Sequence, residues 1–140
     1  MAEQLVIFAD GGARGNPGPA AIGFVIKDST GKIIHRQGKY IGETTNNVAE
    51  YQAVIEALGW LAANYKSPIT KLQFFLDSKL VVNQLNGLFK VKEIKMRNLV
   101  IKVRQLEREI GGNVSYQAIP REKNSLADGL VNQALDRRTL

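Results

Sequence analysis

The N-terminal part of the chain alternates apolar runs with turn-forming residues. Leu5–Ala9 and Ala21–Lys27 are rich in apolar residues, and the segment DSTGK is a turn into a third predicted strand, Lys32–Tyr40. Short runs bounded by Gly, Pro, Asn and Asp are typical of β-strands. Because the connections are short, we expect these three strands to pair in antiparallel fashion.

The pattern then changes to helical spacing. In Asn47–Asn64, the residues Tyr51, Val54 and Leu58 fall on one helix face, and alanines and Trp60 make the opposite side apolar as well. An apolar surface this wide predicts a helix that is covered on two sides. The elements predicted after it are a strand at Lys71–Leu76, helices at Ser78–Leu85 and Val91–Ile110, a strand at Val114–Ile119 and a helix at Asn124–Leu135.

The element order βββαβααβα predicts an α/β fold. Strands four and five each follow helices, and right-handed crossovers would place both strands parallel to strand one. We therefore expect a mixed five-stranded sheet with helices on both faces. A chain of 140 residues without a linker or repeat predicts a single domain over residues 1–140.

Composition excludes several classes of protein. The chain has no cysteine, which excludes disulfides and thiolate chemistry, and 44% of its residues are hydrophobic, enough for a packed core. No apolar run approaches the ~20 residues of a membrane span. The N-terminal segment lacks a basic region and a small-residue cleavage site, so we expect no signal peptide and a cytoplasmic protein.

The net charge of +6 favours a polyanionic partner. Residues 90–108 carry much of this charge, with seven basic and two acidic side chains. Two interpretations stay open for this segment, namely a solvated helix face and a surface that attracts phosphates.

Four of the acids lie next to apolar segments, where a charge is not needed to make the protein soluble. Asp10 and Asp77 each end an apolar strand, whereas Glu50 and Asp128 lie near helix starts beside apolar residues. If strands one and four are parallel neighbours, Asp10 and Asp77 emerge at the same sheet edge, where α/β proteins bind ligands. Clustered carboxylates repel one another unless cations neutralise them. Oxygen ligands favour magnesium, and the lack of a histidine or cysteine cluster argues against zinc.

Each acid also has a purely structural interpretation. Asn47–Glu50 and Ser125–Asp128 fit the capping-box pattern. Asp77 would interact favourably with the N-terminus of the following helix, and Asp10 would suit a turn.

Four segments resemble the signature blocks of the type 1 ribonuclease H family. They are FADGGARGNPGPAAIGFVI, TTNNVAEYQAVIEAL, FLDSKLVVNQL and NSLADGLVNQAL, and together they span nearly the whole chain. The resemblance implies a ribonuclease H-like fold and a metal-dependent endoribonuclease that hydrolyses the RNA strand of RNA–DNA hybrids. It also implies 5′-phosphate and 3′-hydroxyl products and two Mg²⁺ ions, for which Mn²⁺ is the substitute. The implied ligands of these ions are Asp10, Glu50, Asp77 and Asp128, with Asp10 shared by both.

The resemblance also implies substrate contacts. It assigns them to the side chains of Asn16, Thr45, Asn46 and Asn47 and to the backbone N–H groups of Gly11, Gly12 and Ala13. The alternatives are a turn at Asn16 and a helix cap at Asn47. The expected partner is an RNA–DNA hybrid, double-stranded RNA is an open second substrate, and we expect a monomer that does not bind membranes.

Two features depart from the family pattern. The basic, tryptophan-rich protrusion of many bacterial members is missing, so the basic segment 90–108 and the C-terminal DRRTL are our candidates for part of the non-specific phosphate affinity. The loop before the last acid, IPREKNSLAD, has no histidine, and His35 belongs to strand three. Arg121 is our candidate for the missing residue, although an arginine cannot act as a base and would instead hold the departing phosphate.

Two other functions compete with the hydrolase. The first is a non-catalytic nucleic-acid-binding module on the same fold, which the presence of all four acids disfavours. The second is a nucleotide-binding domain, but GGARGNPG matches neither phosphate-binding glycine motif and leads into a strand.

Overall fold

The computed structural model describes residues 3–138, which form one five-stranded sheet and four α-helices in the order βββαβααβα. The elements are β1 (Glu3–Ala13), β2 (Gly18–Asp28), β3 (Ile33–Thr44), α1 (Asn46–Asn64), β4 (Ile69–Leu76), α2 (Lys79–Leu85), α3 (Ile94–Ile110), β5 (Asn113–Ala118) and α4 (Ser125–Asp136). A single 3₁₀ turn, Arg121–Lys123, precedes α4. The predicted element order is thus confirmed. None of the helices in residues 3–138 has both the length and the apolar character needed to cross a membrane.

The strands lie in the order β3-β2-β1-β4-β5. β1 pairs antiparallel with β2 and parallel with β4, and β4 pairs parallel with β5, as the short first connections and the later helical crossovers predicted. β1 therefore lies at the centre of the sheet, with its parallel and antiparallel neighbours on opposite sides.

Helices cover both faces of this sheet. On one face, α1 packs against β1, β2 and α3, and the main core contains Ile7, Phe24, Tyr51, Leu58 and other apolar side chains. Since α1 contacts both the sheet and α3, its wide apolar surface is explained. On the other face, α4 packs across β1, β2 and β3.

β1 is longer than the sequence predicts. The prediction ended the strand at Ala9 and made Asp10 its tip, but pairing with β2 continues from Asp10 to Ala13, which pairs with Ala20. Pairing with β4 stops earlier, at Phe8. Asp10 therefore lies inside β1, just beyond the point where β4 ends. The glycines after it continue the strand and do not form the predicted turn.

Among the other elements, the largest shifts from the predicted boundaries are those of β2, β3 and α3. β2 begins at Gly18 and not at Ala21. β3 runs on to Thr44 because its pairing with β2 extends to the Gly18–Thr44 pair. α3 begins at Ile94 and not at Val91, because Glu93 has an extended backbone and takes the N-cap position.

Close contacts between backbones set the position of α1 against β1. A Cβ atom on Gly11 would lie 2.2 Å from both the carbonyl carbon and the carbonyl oxygen of Ala49. No side chain fits there, and the helix residue that follows Ala49 is Glu50. Gly11 thus lets α1 approach β1 closely enough to place Glu50 beside the strand that carries Asp10.

We predict that Gly11→Ala lowers the free energy of unfolding by about 3 kcal/mol, because backbone atoms of α1 must move to admit the methyl group. Urea unfolding of the two proteins measures this difference. Gly12→Ala is the matched control, since the nearest atom to its new Cβ would be Val131 Cγ1 at 3.8 Å, an ordinary contact. If Gly11→Ala and Gly12→Ala unfold at the same urea concentration, the close approach of α1 to β1 at Gly11 does not limit how α1 packs on the sheet.

Candidate active site

Three carboxylates meet at the edge where β1 extends past β4. Asp10 comes from β1, Glu50 from α1, and Asp77 directly follows β4. One oxygen from each of the three lies within 4.8 Å of the other two. Asp10 is 4% and Glu50 5% exposed, and Asp77 is half-buried. Residues far apart in the sequence therefore form one acidic group.

The open edge of β1 explains why Glu50 lies in this group. Beyond Phe8 the strand has no β4 partner, so its next outward-facing N–H groups need other acceptors. The Gly11 N–H donates to Glu50 Oε1 at 3.4 Å, and the Ala13 N–H donates to Asn46 Oδ1 at 2.8 Å. Side chains of α1 thus replace the missing strand.

Neither predicted capping box forms. The N-cap of α1 is Thr45, whose Oγ1 accepts a hydrogen bond from the Val48 N–H at 3.3 Å, so Glu50 is not needed there. In α4, Asp128 Oδ2 accepts from Asn132 Nδ2 at 3.4 Å, within the same helix. The capping interpretation is wrong for both acids, and their carboxylates face a shared cavity.

The cavity above these acids has a volume of about 470 Å³. Asp128 lines it with Asp10, Glu50 and Asp77, but is not part of the group of three carboxylates within 4.8 Å. The cavity is also lined by Gly11, Gly12, Ala13, Arg14, Asn46, Asn47, Ser78, Arg121, Val131, Asn132 and Leu135. The structure thus brings all four predicted acids and Arg121 to one cavity.

Burial makes the ionised site unfavourable without a cation. The pKa of Asp10 is raised to about 7, mainly by burial; a hydrogen bond with Glu50 acts to lower this pKa, and the negative charges of Asp77 and Asp128 act to raise it. Burial and the charge of Asp10 raise the pKa of Glu50 well above its usual value. The metal-free pair therefore holds protons at pH values where exposed carboxyl groups are ionised.

The donor set fits a hard divalent cation. All the clustered ligand atoms are carboxylate oxygens, and Glu50 Oε2 is buried without a hydrogen-bond partner among residues 3–138. Magnesium and manganese prefer such oxygen ligands, whereas zinc sites usually include His or Cys. A cation would satisfy the unpartnered oxygen and offset the repulsion between the carboxylates.

Comparison with known proteins identifies the family. A family model described as reverse transcriptase-like matches residues 8–134. The solved structure of LC11 ribonuclease H1 in complex with an RNA/DNA hybrid is 45% identical, covers 95% of this chain and 97% of its own, and superposes with a TM-score of 0.89. The chain belongs to the type 1 ribonuclease H family. LC11 ribonuclease H1 was isolated from compost by a metagenomic approach.

Other relatives extend this likeness. The ribonuclease HI of Halobacterium salinarum is 40% identical over 129 residues, which are 92% of this chain and 63% of that protein. The bifunctional protein Rv2228c of Mycobacterium tuberculosis is 39% identical over 134 residues, and this chain spans only 36% of its length. The ribonuclease H region is thus one part of that longer relative.

The residues expected to contact substrate lie in or next to the cavity or at the start of α1. Asn47 lines the cavity, Thr45 caps α1, and Asn16 Oδ1 accepts from the Asn46 N–H at 3.0 Å. The N–H groups of Gly11 and Ala13 donate to Glu50 and Asn46 within the protein, and their contact with RNA stays a prediction.

Sequence reasoning missed two polar residues of the site. Asn124 is buried beneath Asp77, and Asn132 binds Asp128. Asn124 is the N-cap of α4 and Asn132 lies on the exposed surface of that helix, so no local signal distinguishes either residue from an ordinary cap or solvated asparagine.

Arg104, one of the basic residues counted in segment 90–108, forms contacts within the protein. Arg104 forms an ion pair with Glu107 at 3.1 Å and donates to the Leu85 carbonyl. It therefore ties α3 to α2, which reduces the charge that this segment offers to a phosphate.

We predict that the metal-free protein loses stability as the pH rises from about 4 to 8. The folded state holds the Asp10 proton up to a pKa of about 7, whereas the unfolded state releases it near 3.8, so the folded state binds more protons between these values. Asp10→Asn should therefore raise Tm in EDTA at pH 8 and change it little at pH 4. Thermal unfolding across this pH range measures the effect.

Asp28→Asn is the control with the opposite sign. Its carboxylate accepts a hydrogen bond from the Thr30 hydroxyl, which lowers the pKa of Asp28, so this substitution should not raise Tm at pH 8. Parallel pH profiles for wild type and Asp10→Asn would contradict the assignment of this penalty to Asp10.

Proposed function

We propose that this chain hydrolyses the RNA strand of RNA–DNA hybrids as an endoribonuclease. The observation that carries the proposal is the convergence of Asp10, Glu50 and Asp77, within 4.8 Å of one another, in a chain of the ribonuclease H family. Two of these carboxylates are buried, and one Glu50 oxygen has no hydrogen-bond partner within residues 3–138, features that a solvated acidic patch lacks. The net charge of +6 favours a polyanionic substrate.

Asp10, Glu50, Asp77 and Asp128 would hold two divalent ions, with Mg²⁺ as our expectation and Mn²⁺ as the substitute. Ions bound there would supply an activated water and stabilise the leaving 3′ oxygen of the RNA, which gives 5′-phosphate and 3′-hydroxyl ends. The chain's own contribution is to hold four carboxylates together and to give up the protons that burial retains on Asp10 and Glu50.

Asn46 in the cavity lining and Asn16, which contacts Asn46, supply polar groups that suit a hybrid. The Oδ1 atoms of Asn16 and Asn46 accept backbone N–H groups, which leaves their Nδ2 groups to donate to a bound nucleic acid. Asn47 lies on the cavity wall with Gly12, where no side chain obstructs a backbone. Such contacts recognise helix shape and 2′-hydroxyl groups, not base sequence.

The alternative is a nucleic-acid-binding module that retains the fold without cleavage. If the protein were such a module, it would keep four carboxylates close together, at an electrostatic cost, without a catalytic role for them. The extent of the single domain, the monomeric state, the cytoplasmic location and the use of double-stranded RNA stay predictions from the sequence.

We predict that the wild type cleaves a labelled RNA–DNA hybrid in Mg²⁺ and that Asp10→Asn loses at least about 10³-fold of kcat, or ~4 kcal/mol of transition-state stabilisation. Single-turnover cleavage measures the rate, and a binding assay in Ca²⁺ measures hybrid affinity, which should stay within a few-fold. Asp28→Asn, whose carboxylate lies in the turn after β2, is the control and should cleave normally.

Tight binding by the wild type without cleavage in either Mg²⁺ or Mn²⁺ would favour the binding module. A double-stranded RNA substrate in the same assay decides whether the second duplex is also cut.

Arg121 is our candidate for holding the phosphate product. It lies in the 3₁₀ turn before α4, lines the cavity with Asp77 and Asp128, and its side chain is exposed. A guanidinium at this place would attract a phosphate group as it leaves.

We predict that Arg121→Ala lowers kcat by about tenfold, equivalent to ~1.4 kcal/mol, and leaves the rise of Tm with Mg²⁺ unchanged. Steady-state cleavage and thermal unfolding with Mg²⁺ measure the two quantities. Lys123→Ala removes an equal charge from the same turn without touching the cavity and should keep the wild-type kcat. An unchanged kcat for Arg121→Ala would reject this assignment.

A further inference from the structure

Asn124 is the most deeply buried polar residue near the candidate site. Its exposed fraction is 1%, below that of Asp10 or Glu50. The residue occupies the N-cap position of α4, but its side chain makes no capping hydrogen bond. Its Nδ2 instead donates to the Ala9 carbonyl at 2.9 Å and to Asp77 Oδ2 at 3.4 Å.

The orientation of this amide follows from its neighbours. Both facing atoms are oxygens that can only accept while Asp77 is ionised, so only the NH₂ group can point toward them. A flipped amide would set Oδ1 against two oxygens. In the observed orientation, Oδ1 is buried with no partner within residues 3–138, which is unfavourable. The two donated hydrogen bonds are therefore made at the expense of an unsatisfied acceptor.

Asn124 connects three of the elements that carry the acids. Ala9, whose carbonyl it binds, immediately precedes Asp10 in β1, and Asp77 follows β4. The Asn124 carbonyl accepts from the Asp128 N–H at 3.1 Å, which begins the first turn of α4. Asn124 therefore links the backbone of β1 next to Asp10 and the first turn of α4, which carries Asp128, to the carboxylate of Asp77.

We propose that Asn124 is a positioning residue that orients the Asp77 carboxylate for the divalent ion. The amide engages one oxygen of Asp77 and leaves the other available to the cation. A neutral donor suits this task, because a lysine or arginine here would place a positive charge in the position of the cation. This inference rests on the proposed function, since it assumes that the acidic group binds the ion used in hydrolysis.

Two variants of Asn124 test the proposal. Asn124→Ala removes the donor, and Asn124→Asp keeps the size of the side chain but replaces the donor with an oxygen. Asn86→Ala is the matched control, because the Asn86 amide also donates to a backbone carbonyl, that of Tyr116 at 3.1 Å, but lies outside the cavity.

The first readout needs no catalysis. We measure the Mg²⁺ concentration that gives half of the maximal rise in Tm, because an ion that binds the folded state raises Tm. Asn124→Ala should increase this Mg²⁺ concentration at least about fivefold. Asn86→Ala should lower Tm but leave this Mg²⁺ concentration unchanged. The second readout is hybrid cleavage at saturating Mg²⁺, where both Asn124 variants should lose at least about tenfold in kcat with KM within twofold of the wild type.

The outcomes separate this inference from the proposed function. If Asn124→Ala lowers Tm as Asn86→Ala does but keeps the wild-type Mg²⁺ midpoint and kcat, the residue is only structural and the inference fails. A wild-type kcat for Asn124→Asp also overturns it, because the donor is then unnecessary. If the wild type does not cleave hybrids but Asn124→Ala still shifts the Mg²⁺ midpoint, the positioning role stands and the proposed function fails.

Discussion

The candidate site depends on a mismatch in length between two neighbouring strands. β1 pairs with β4 only as far as Phe8, yet it continues to Ala13 along β2. The N–H groups on its open edge must be satisfied, and α1 supplies Glu50 and Asn46 as the acceptors. This exchange of a strand for a helix is possible only because Gly11 has no side chain between the two backbones. The same geometry that completes the hydrogen bonding of β1 therefore brings the Glu50 carboxylate next to Asp10.

Burying these carboxylates next to each other in a well-packed fold is electrostatically unfavourable. Asp10 and Glu50 are nearly as buried as the apolar side chains around them, and burial raises the pKa of both. The main core on the α1 face and the second apolar cluster under α4 hold the surrounding elements in place regardless of these charges. A rigid frame can keep repelling groups together, and such strain is commonly found at functional sites. The carboxylates are thus held ready for a cation without having to be assembled by it.

Sequence periodicity predicted the order of the elements because apolar alternation and helical spacing are local signals. The four acids were also found, since strand ends and helix starts are local features. The interactions that organise them are not local. The hydrogen bond from Gly11 to Glu50 spans 39 residues, and that from Asn124 to Ala9 spans 115. Local patterns misled us at these places, because glycines after Asp10 resemble a turn and Asn47–Glu50 resembles a capping box. Only tertiary structure shows that β1 continues and that Glu50 serves the strand.

The distribution of charge explains how an acidic site can act on an acidic substrate. The chain carries a net charge of +6, which attracts a polyanion over a distance, but the acids that line the cavity repel a phosphate at close range when they are ionised. Neutral amides bind the two outer carboxylates, Asn124 at Asp77 and Asn132 at Asp128, so their charges are oriented without being cancelled. Arginines stay at the edge, where Arg14 pairs with Asp136 at 2.8 Å. Divalent cations held by these carboxylates would offset that repulsion.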